Sequence, residues 1–203
     1  MYKDVTGIIL SGGKSSRMGT NKSLLKIGDN TVIEIMVRLM KSLFQNVIIS
    51  TNTKEEYSFL NCPMAADIYI HAGPLAGIHA ALMESTTERN FVISCDVPLM
   101  SREMIEYFVE YKTEEPILIS RAAGYLQPLV GIYKKRLLPL IENILSENEN
   151  KSDEKKKHLS LHALIDKTDT EIIDVTTLPF YLDKLFFNLN NKDDFEKLIN
   201  QFN

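Results

Sequence analysis

Short apolar runs alternate with helix-period segments along this chain of 203 residues. Val5–Leu10 (VTGIIL) has strand length and ends in a loop rich in Gly, Ser and Lys that reaches Asn21. An apolar run this short, closed by turn residues, reads as a buried strand. Thr31 followed by Glu34 is a capping-box pair, and Ile35, Leu39 and Leu43 recur at helical spacing, which predicts a helix over Thr31–Phe44. Asn46–Ser50 reads as a second strand, Lys54–Leu60 as a short helix and Pro63–Ala66 as a short third strand. His71–Gly77 reads as a loop leading into a helix over Ile78–Ser85. Phe91–Cys95 (FVISC) is a buried strand that stops at Asp96, and Ser101 caps a helix reaching Tyr111. Pro116–Ser120 and Leu129–Tyr133 read as strands, Leu137–Leu145 as a helix, and a last helix contains Phe195–Phe202.

Strands alternating with helices predict an α/β fold around a parallel sheet, as one domain over residues 1–203. Within it, Ser146–Lys157 (SENENKSDEKKK) has no hydrophobic residue and is expected to be a flexible, solvated insertion. Lys155–Lys157 leave open a role for it as a phosphate-gripping arm.

The formal net charge of −4 argues against nucleic acid as the main partner, although a nucleotide needs only a local positive pocket. No run approaches the ~20 apolar residues of a membrane span. The N-terminal MYKDVTGIILSGG passes from its apolar run into glycines and charges, without the cleavage region of a signal peptide. Cys62 and Cys95 are too few for a disulfide framework and are expected as buried thiols, so the cytoplasm is the expected compartment.

Leu10–Lys22 (LSGGKSSRMGTNK) carries the strongest chemical signal. Glycines directly after a strand let backbone N–H groups approach an anion, and Lys14, Arg17 and Lys22 add positive charge. A Walker A loop ending at Gly13-Lys14-Ser15 would need its first glycine at Ile8, and Gly7 is one residue off. Gly12-Gly13 followed by Lys, Ser, Ser and Arg does not fit a dinucleotide-binding G-x-G-x-x-G either. The loop is a phosphate cradle of another kind.

Leu10–Leu25 fits L-x-G-G-x-S-x-R-M-G-x-x-K-x-L-L and resembles the nucleotidyltransferases that transfer a nucleoside monophosphate from an NTP, with the molybdenum cofactor guanylyltransferase family nearest. The similarity continues through Gly73-Pro74-Leu75-Ala76-Gly77, Cys95-Asp96-Val97-Pro98-Leu99, Gln127-Pro128-Leu129 with Tyr133, and Phe187-Asn188-Leu189-Asn190 followed by Asp194. It implies a three-layer, Rossmann-like (GT-A-like) fold with a central, mostly parallel sheet. It also implies transfer of GMP from GTP to the terminal phosphate of molybdopterin, with Mg²⁺ as cofactor. Expected partners extend to proteins that deliver molybdopterin or mature molybdoenzymes. Transfer from CTP, transfer to a sugar phosphate, and a non-catalytic adaptor remain the alternatives.

Asp96 ends a buried strand, where ligands of open α/β sheets bind, and a carboxylate there can hold Mg²⁺ bridging triphosphate oxygens. The resemblance assigns Leu10, Ser11, Gly12, Gly13, Lys22, Asn52, Asp67 and Asp96 to the nucleotide, Lys22, Arg17 and Asp96 to catalysis, and Asp96 with Asn190 to the metal. Asn190 could instead cap the last helix. Ser11 replaces an alanine frequent in the family, and guanylyl members share Gly12-Gly13 where cytidylyl relatives carry Ala-Gly. His158 and His162 lack the glutamate of a zinc-protease motif, and His71 and His79 stand isolated in sequence, so no zinc is expected.

Overall fold

Val5–Leu10 are buried without a break, as in a strand covered on both faces. They belong to β1 (Tyr2–Leu10), around which the sheet is organised. The structure is a computed structural model that describes residues 1–12, 21–148 and 161–199. Gly13, Lys14, Arg17, His158 and residues 149–157 of the charged insertion lie outside the described residues.

In chain order, β1 is followed by a small hairpin of β2 (Lys26–Ile27) and β3 (Asn30–Thr31), then α1 (Val32–Leu43), β4 (Phe44–Ser50) and β5 (Met64–Ala65). Next come α2 (Pro74–Glu84), β6 (Arg89–Ser94), α3 (Arg102–Glu110), β7 (Ile117–Ala122), β8 (Tyr125–Lys134) and α4 (Leu138–Asn148). Helical backbone over 161–167 (α5), β9 (Thr170–Asp174) and α6 (Lys192–Ile199) complete the order.

The large sheet runs β5-β4-β1-β6-β8-β7-β9. Following the pairings across it, β8 alone opposes the others. From β1 the chain goes outward to β4 and β5, then returns to the other side of β1 at β6. That reversal opens a crevice at the carboxyl ends of the strands. Leu10 marks its floor, paired with Ser50 on one side and Ser94 on the other.

Alternation along the strands builds two core layers. Val5, Ile9, Ile49, Phe91 and Ile93 face α1 and α3, while Ile8, Leu10, Ile48, Val92 and Tyr133 face α2 and α4. The three-layer α/β architecture expected from the sequence is present. A third, smaller cluster joins Ile27 and Val32 to Leu189 and Leu198, fastening the C-terminal segment beside the start of α1. Among the described residues no helix is long and apolar enough to cross a membrane.

Thr31 caps α1 as expected: its hydroxyl accepts the Glu34 N–H at 3.3 Å, and the Glu34 carboxylate accepts the Thr31 N–H at 2.7 Å. The Thr31 N–H, joined by the Thr31 hydroxyl donating to the same carboxylate oxygen at 2.8 Å, lowers the Glu34 pKa. Several boundaries differ. α2 begins at Pro74 rather than Ile78, with Gly73 at φ 74° before it. Proline suits a first helical turn because its missing N–H would have no intrahelical partner there, so Gly-Pro opens this helix instead of ending a loop. Lys54–Leu60 is 3-10 rather than α-helical. β8 starts at Tyr125, four residues before the expected strand, because Ala123 (φ 48°) and Gly124 (φ 82°) make a tight hairpin turn. β9, α5 and the β2–β3 hairpin were not anticipated. Cys62 and Cys95 both keep partial exposure, although burial pushes the Cys95 thiol up to about 12.

Candidate active site

The backbone ladder continues one residue past each strand end at the crevice. The Ser11 N–H donates to the Ser50 carbonyl at 2.9 Å, Cys95 to Leu10 at 3.0 Å and Thr51 to Ala65 at 2.8 Å. Residues 11, 51 and 95 are thereby held side by side on a fixed rim. Leu10 contributes only backbone, since its side chain packs in the core against the α2 face. Gly12 follows with open space where a Cβ would project: no atom of the described residues beyond its chain neighbours lies within 4 Å of it.

On the β4–β5 side, Asn52 and Asp67 bind each other reciprocally. Asn52 Nδ2 donates to Asp67 Oδ2 at 2.7 Å, and the Asp67 N–H donates to Asn52 Oδ1 at 2.8 Å. Burial raises the Asp67 pKa, against the Asn52 hydrogen bond and the nearby His79, which both lower it. Gly77 of α2 closes the floor, where a Cβ would come within 2.7 Å of Ser50 Oγ. The last glycine of the Gly73–Gly77 segment is therefore a close-approach residue.

On the β6 side, Asp96 Oδ1 is buried with no hydrogen-bond partner among the described residues. A buried carboxylate oxygen left unpaired is costly. Its surroundings come from the far end of the chain: the Leu189 N–H donates to the Asp96 carbonyl at 2.8 Å. That bond places Asn190 next to the end of β6, and Lys22 Nζ donates to the Asn190 carbonyl at 2.5 Å. Lys22, Asp96 and Asn190 thus share one corner of the crevice.

Asn191, not Asn190, caps α6. Its Oδ1 accepts the Asp194 N–H at 2.9 Å, while Asp194 Oδ2 accepts the N–H groups of Asn190 and Asn191 at 2.9 and 3.1 Å. The Asn190 side chain is exposed and makes no hydrogen bond among the described residues.

Two residues singled out in the sequence have structural surroundings. Tyr133, of the Gln127–Tyr133 match, is fully buried, and its hydroxyl donates to the Pro128 carbonyl at 2.5 Å. Burial raises its pKa. His79 is not isolated: it lies buried on α2, edge-on to Tyr69 at 5.3 Å, with Nε2 3.4 Å from Glu142 Oε1. Residues missed altogether are Asn21, Ser23 and Tyr57, which close a hydrogen-bonded ring at the mouth of the glycine loop. Tyr57 sits in KEEYSFL, outside the glycine-loop motif, whereas Asn21 and Ser23 occupy variable positions of that motif on either side of Lys22.

Residues 7–161 match the profile of the MobA-like NTP transferase domain. The chain belongs to the MobA-like NTP transferase family. A relative from Carboxydothermus hydrogenoformans, named "probable molybdenum cofactor guanylyltransferase", is 34% identical and covers 98% of both chains. A relative of the same name from Clostridium perfringens is 34% identical over 94% of each. Among solved structures, a protein from Aquifex aeolicus superposes with TM-score 0.73 at 31% identity, over 92% of this chain and 93% of that one. The molybdopterin-guanine dinucleotide biosynthesis protein A of Archaeoglobus fulgidus shares the fold with TM-score 0.78 at 20% identity, covering 97% and 98%. Family membership makes this chain a nucleotidyltransferase, with its crevice at the carboxyl ends of β1, β4 and β6 as the candidate active site.

Proposed function

We propose that this protein transfers GMP from GTP to the terminal phosphate of molybdopterin, in the cytoplasm, with Mg²⁺ as cofactor. The names of its relatives support the choice of nucleotide and acceptor. The observation that carries the chemistry is the buried Asp96 Oδ1, without a hydrogen-bond partner among the described residues, in the corner that Lys22 and Asn190 share with Asp96.

In the reaction, an oxygen of the molybdopterin phosphate forms a bond to the α-phosphorus of GTP. The bond from that phosphorus to the β-bridging oxygen breaks, and pyrophosphate leaves with the electron pair. A phosphate monoester has a second pKa of ~6, so the nucleophile is already ionised at neutral pH. The protein then needs no general base. Its work is orientation and charge stabilisation.

Lys22 is suited to the α-phosphoryl group in flight. One of its ammonium protons is held by the Asn190 carbonyl, and among the described residues its other two have no hydrogen-bond acceptor. Ser11, Gly12 and Gly13 would supply the backbone cradle, and Arg17 would hold the departing pyrophosphate; both Gly13 and Arg17 lie outside the described residues. Asn52 and Asp67 would contact base and ribose from the β4–β5 side.

Asp96 and Asn190 fit Mg²⁺, which takes hard oxygen donors, because among the described residues neither the Asp96 Oδ1 nor the Asn190 side-chain amide has a hydrogen-bond partner. Among the described residues no three His, Cys, Asp or Glu side chains cluster for a metal, so nucleotide oxygens and water would complete the shell. When bound, the cation would neutralise charge on the triphosphate oxygens.

The test incubates the purified protein with Mg²⁺, molybdopterin and either GTP or CTP, and measures pyrophosphate and dinucleotide product. Acceptor-dependent pyrophosphate release from GTP is expected. Preference for CTP would replace the guanylyl assignment, and no release from either nucleotide would favour a non-catalytic adaptor.

A further inference from the structure

We infer that Tyr57 is the positioning residue that ties the two ends of the glycine loop together and so sets Lys22 for the triphosphate. The inference rests on the proposed use of that loop as a triphosphate cradle.

Tyr57 lies in the 3-10 segment Lys54–Leu60 and is 1% exposed, its ring packed in the core layer that also contains Ile49 and Leu60. Its hydroxyl touches three partners. Ser11 Oγ donates to it at 2.9 Å, Asn21 Nδ2 donates at 2.7 Å, and Ser23 Oγ lies 2.7 Å away. The Ser23 hydroxyl proton goes to Asn21 Oδ1 at 2.8 Å. A phenol has two acceptor sites and one proton. With both acceptor sites taken by Ser11 and Asn21, Tyr57 must donate to Ser23, and the ring has one consistent proton arrangement.

Asn21 is equally committed. Its amide nitrogen donates to Tyr57 and to Glu56 Oε2 at 2.5 Å, and its Oδ1 accepts from Ser23 Oγ and from the Ser23 N–H at 3.2 Å. That is the full capacity of a side-chain amide. Fully satisfied networks specify one geometry.

A buried tyrosine needs only one hydrogen-bond partner. Here the partners are Ser11, where the chain enters the glycine loop, and Asn21 and Ser23, which bracket Lys22 where it leaves. Tyr57 therefore fixes the separation of the loop's two ends. Through the residues on either side of Lys22 it also fixes the base of the side chain whose Nζ reaches the Asn190 carbonyl. Tyr57 touches none of these last groups itself and acts through Asn21 and Ser23.

The test uses the full chain with Tyr57→Phe, Ser23→Ala and the double variant. Calorimetry with inorganic tripolyphosphate and Mg²⁺, well below the melting temperature, reads the cradle without reference to base or acceptor. GTP-dependent pyrophosphate release is followed in parallel. Each single variant should weaken tripolyphosphate binding by roughly 10-fold or more, as small misplacements of positioned groups do. The double variant should be no worse than the weaker single, because one broken ring cannot be broken twice. Wild-type tripolyphosphate affinity in a folded Tyr57→Phe protein would overturn the inference, leaving Tyr57 a core residue. Additive losses in the double variant would overturn it as well. Should Tyr57→Phe fail to fold, Ser23→Ala decides by the same readout. No binding of tripolyphosphate by the wild type would also overturn the inference. If the wild type binds tripolyphosphate yet releases no pyrophosphate from GTP, the guanylyl assignment falls alone and the binding series still judges Tyr57.

Discussion

The backbone N–H of Leu189 donates to the carbonyl oxygen of Asp96 at 2.8 Å, joining a residue near the C-terminus to the end of a central strand. Leu189 is itself buried in the small cluster with Ile27 and Val32, so the bond is backed by packing. It leaves Asp96 Oδ1 without a hydrogen-bond partner among the described residues and brings Asn190 to the end of β6. Asp96→Asn keeps both the side-chain shape and this backbone bond. The variant should fold normally, with turnover reduced ~10²-fold or more through lost charge stabilisation. Circular dichroism and steady-state rates with GTP check this, and wild-type turnover in a folded variant would remove Asp96 from the chemistry.

Lys22→Ala removes the ammonium that the Asn190 carbonyl orients. If Lys22 stabilises charge mainly in the transition state, kcat should fall with a smaller change in GTP affinity. Single-turnover rates and equilibrium GTP binding, measured separately, distinguish this from a change confined to KM, which would make Lys22 an ordinary binding residue.

Gly12→Ala isolates the ligand's demand from the protein's. The added Cβ would meet no atom of the described residues within 4 Å, and the Gly12 φ is not positive. Stability should therefore stay within ~0.5 kcal/mol of wild type. A purine lying close over the loop would be displaced, so kcat/KM for GTP should fall more than that for CTP. Equal losses with both nucleotides would show that the methyl group does not act through the base.

Asp67 bears on pH. Burial is the leading cause of its raised pKa, so the folded protein holds this proton more tightly than the unfolded chain does. Ionisation then weakens the fold as pH rises through the carboxylate range, and the deficit persists above it. Asp67→Asn carries no such deficit. Its stability relative to wild type should increase between about pH 3 and pH 7, the range spanning carboxylate titration, while GTP use falls. Urea unfolding at both pH values reads the first effect, and a relative gain confined to acid would reverse the assigned sign.

Asp96 and Asn190, in separate sequence motifs, show where sequence stops being enough. The glycine loop, the Asp96 turn and the Thr31–Glu34 capping box were legible because each depends on residues close in the chain: a turn that excludes side chains, a strand end, a helix's unsatisfied N–H groups. Alternating strands and helices likewise announced a sheet covered on both faces. Strand order was not legible, because the register of β1 against β4 and β6 is a choice among distant partners. The reversed strand β8 and the added edge β9 are products of the same choice.

The site divides in the same way. The residue types suited to binding phosphates were readable from spacing, but their company was not. On sequence grounds Asn190 could have capped the last helix, but the Asp194 bonds give that place to Asn191. Tyr57 looked like any core aromatic until folding brought Ser11, Asn21 and Ser23 to its hydroxyl. By itself the sequence determined which local features the chain carries: a glycine-rich basic loop after a strand, a carboxylate at a strand end and an amide near the C-terminus. Only the tertiary structure decided which of these meet, because hydrogen bonds and burial act over ångströms in space, whatever the separation along the chain.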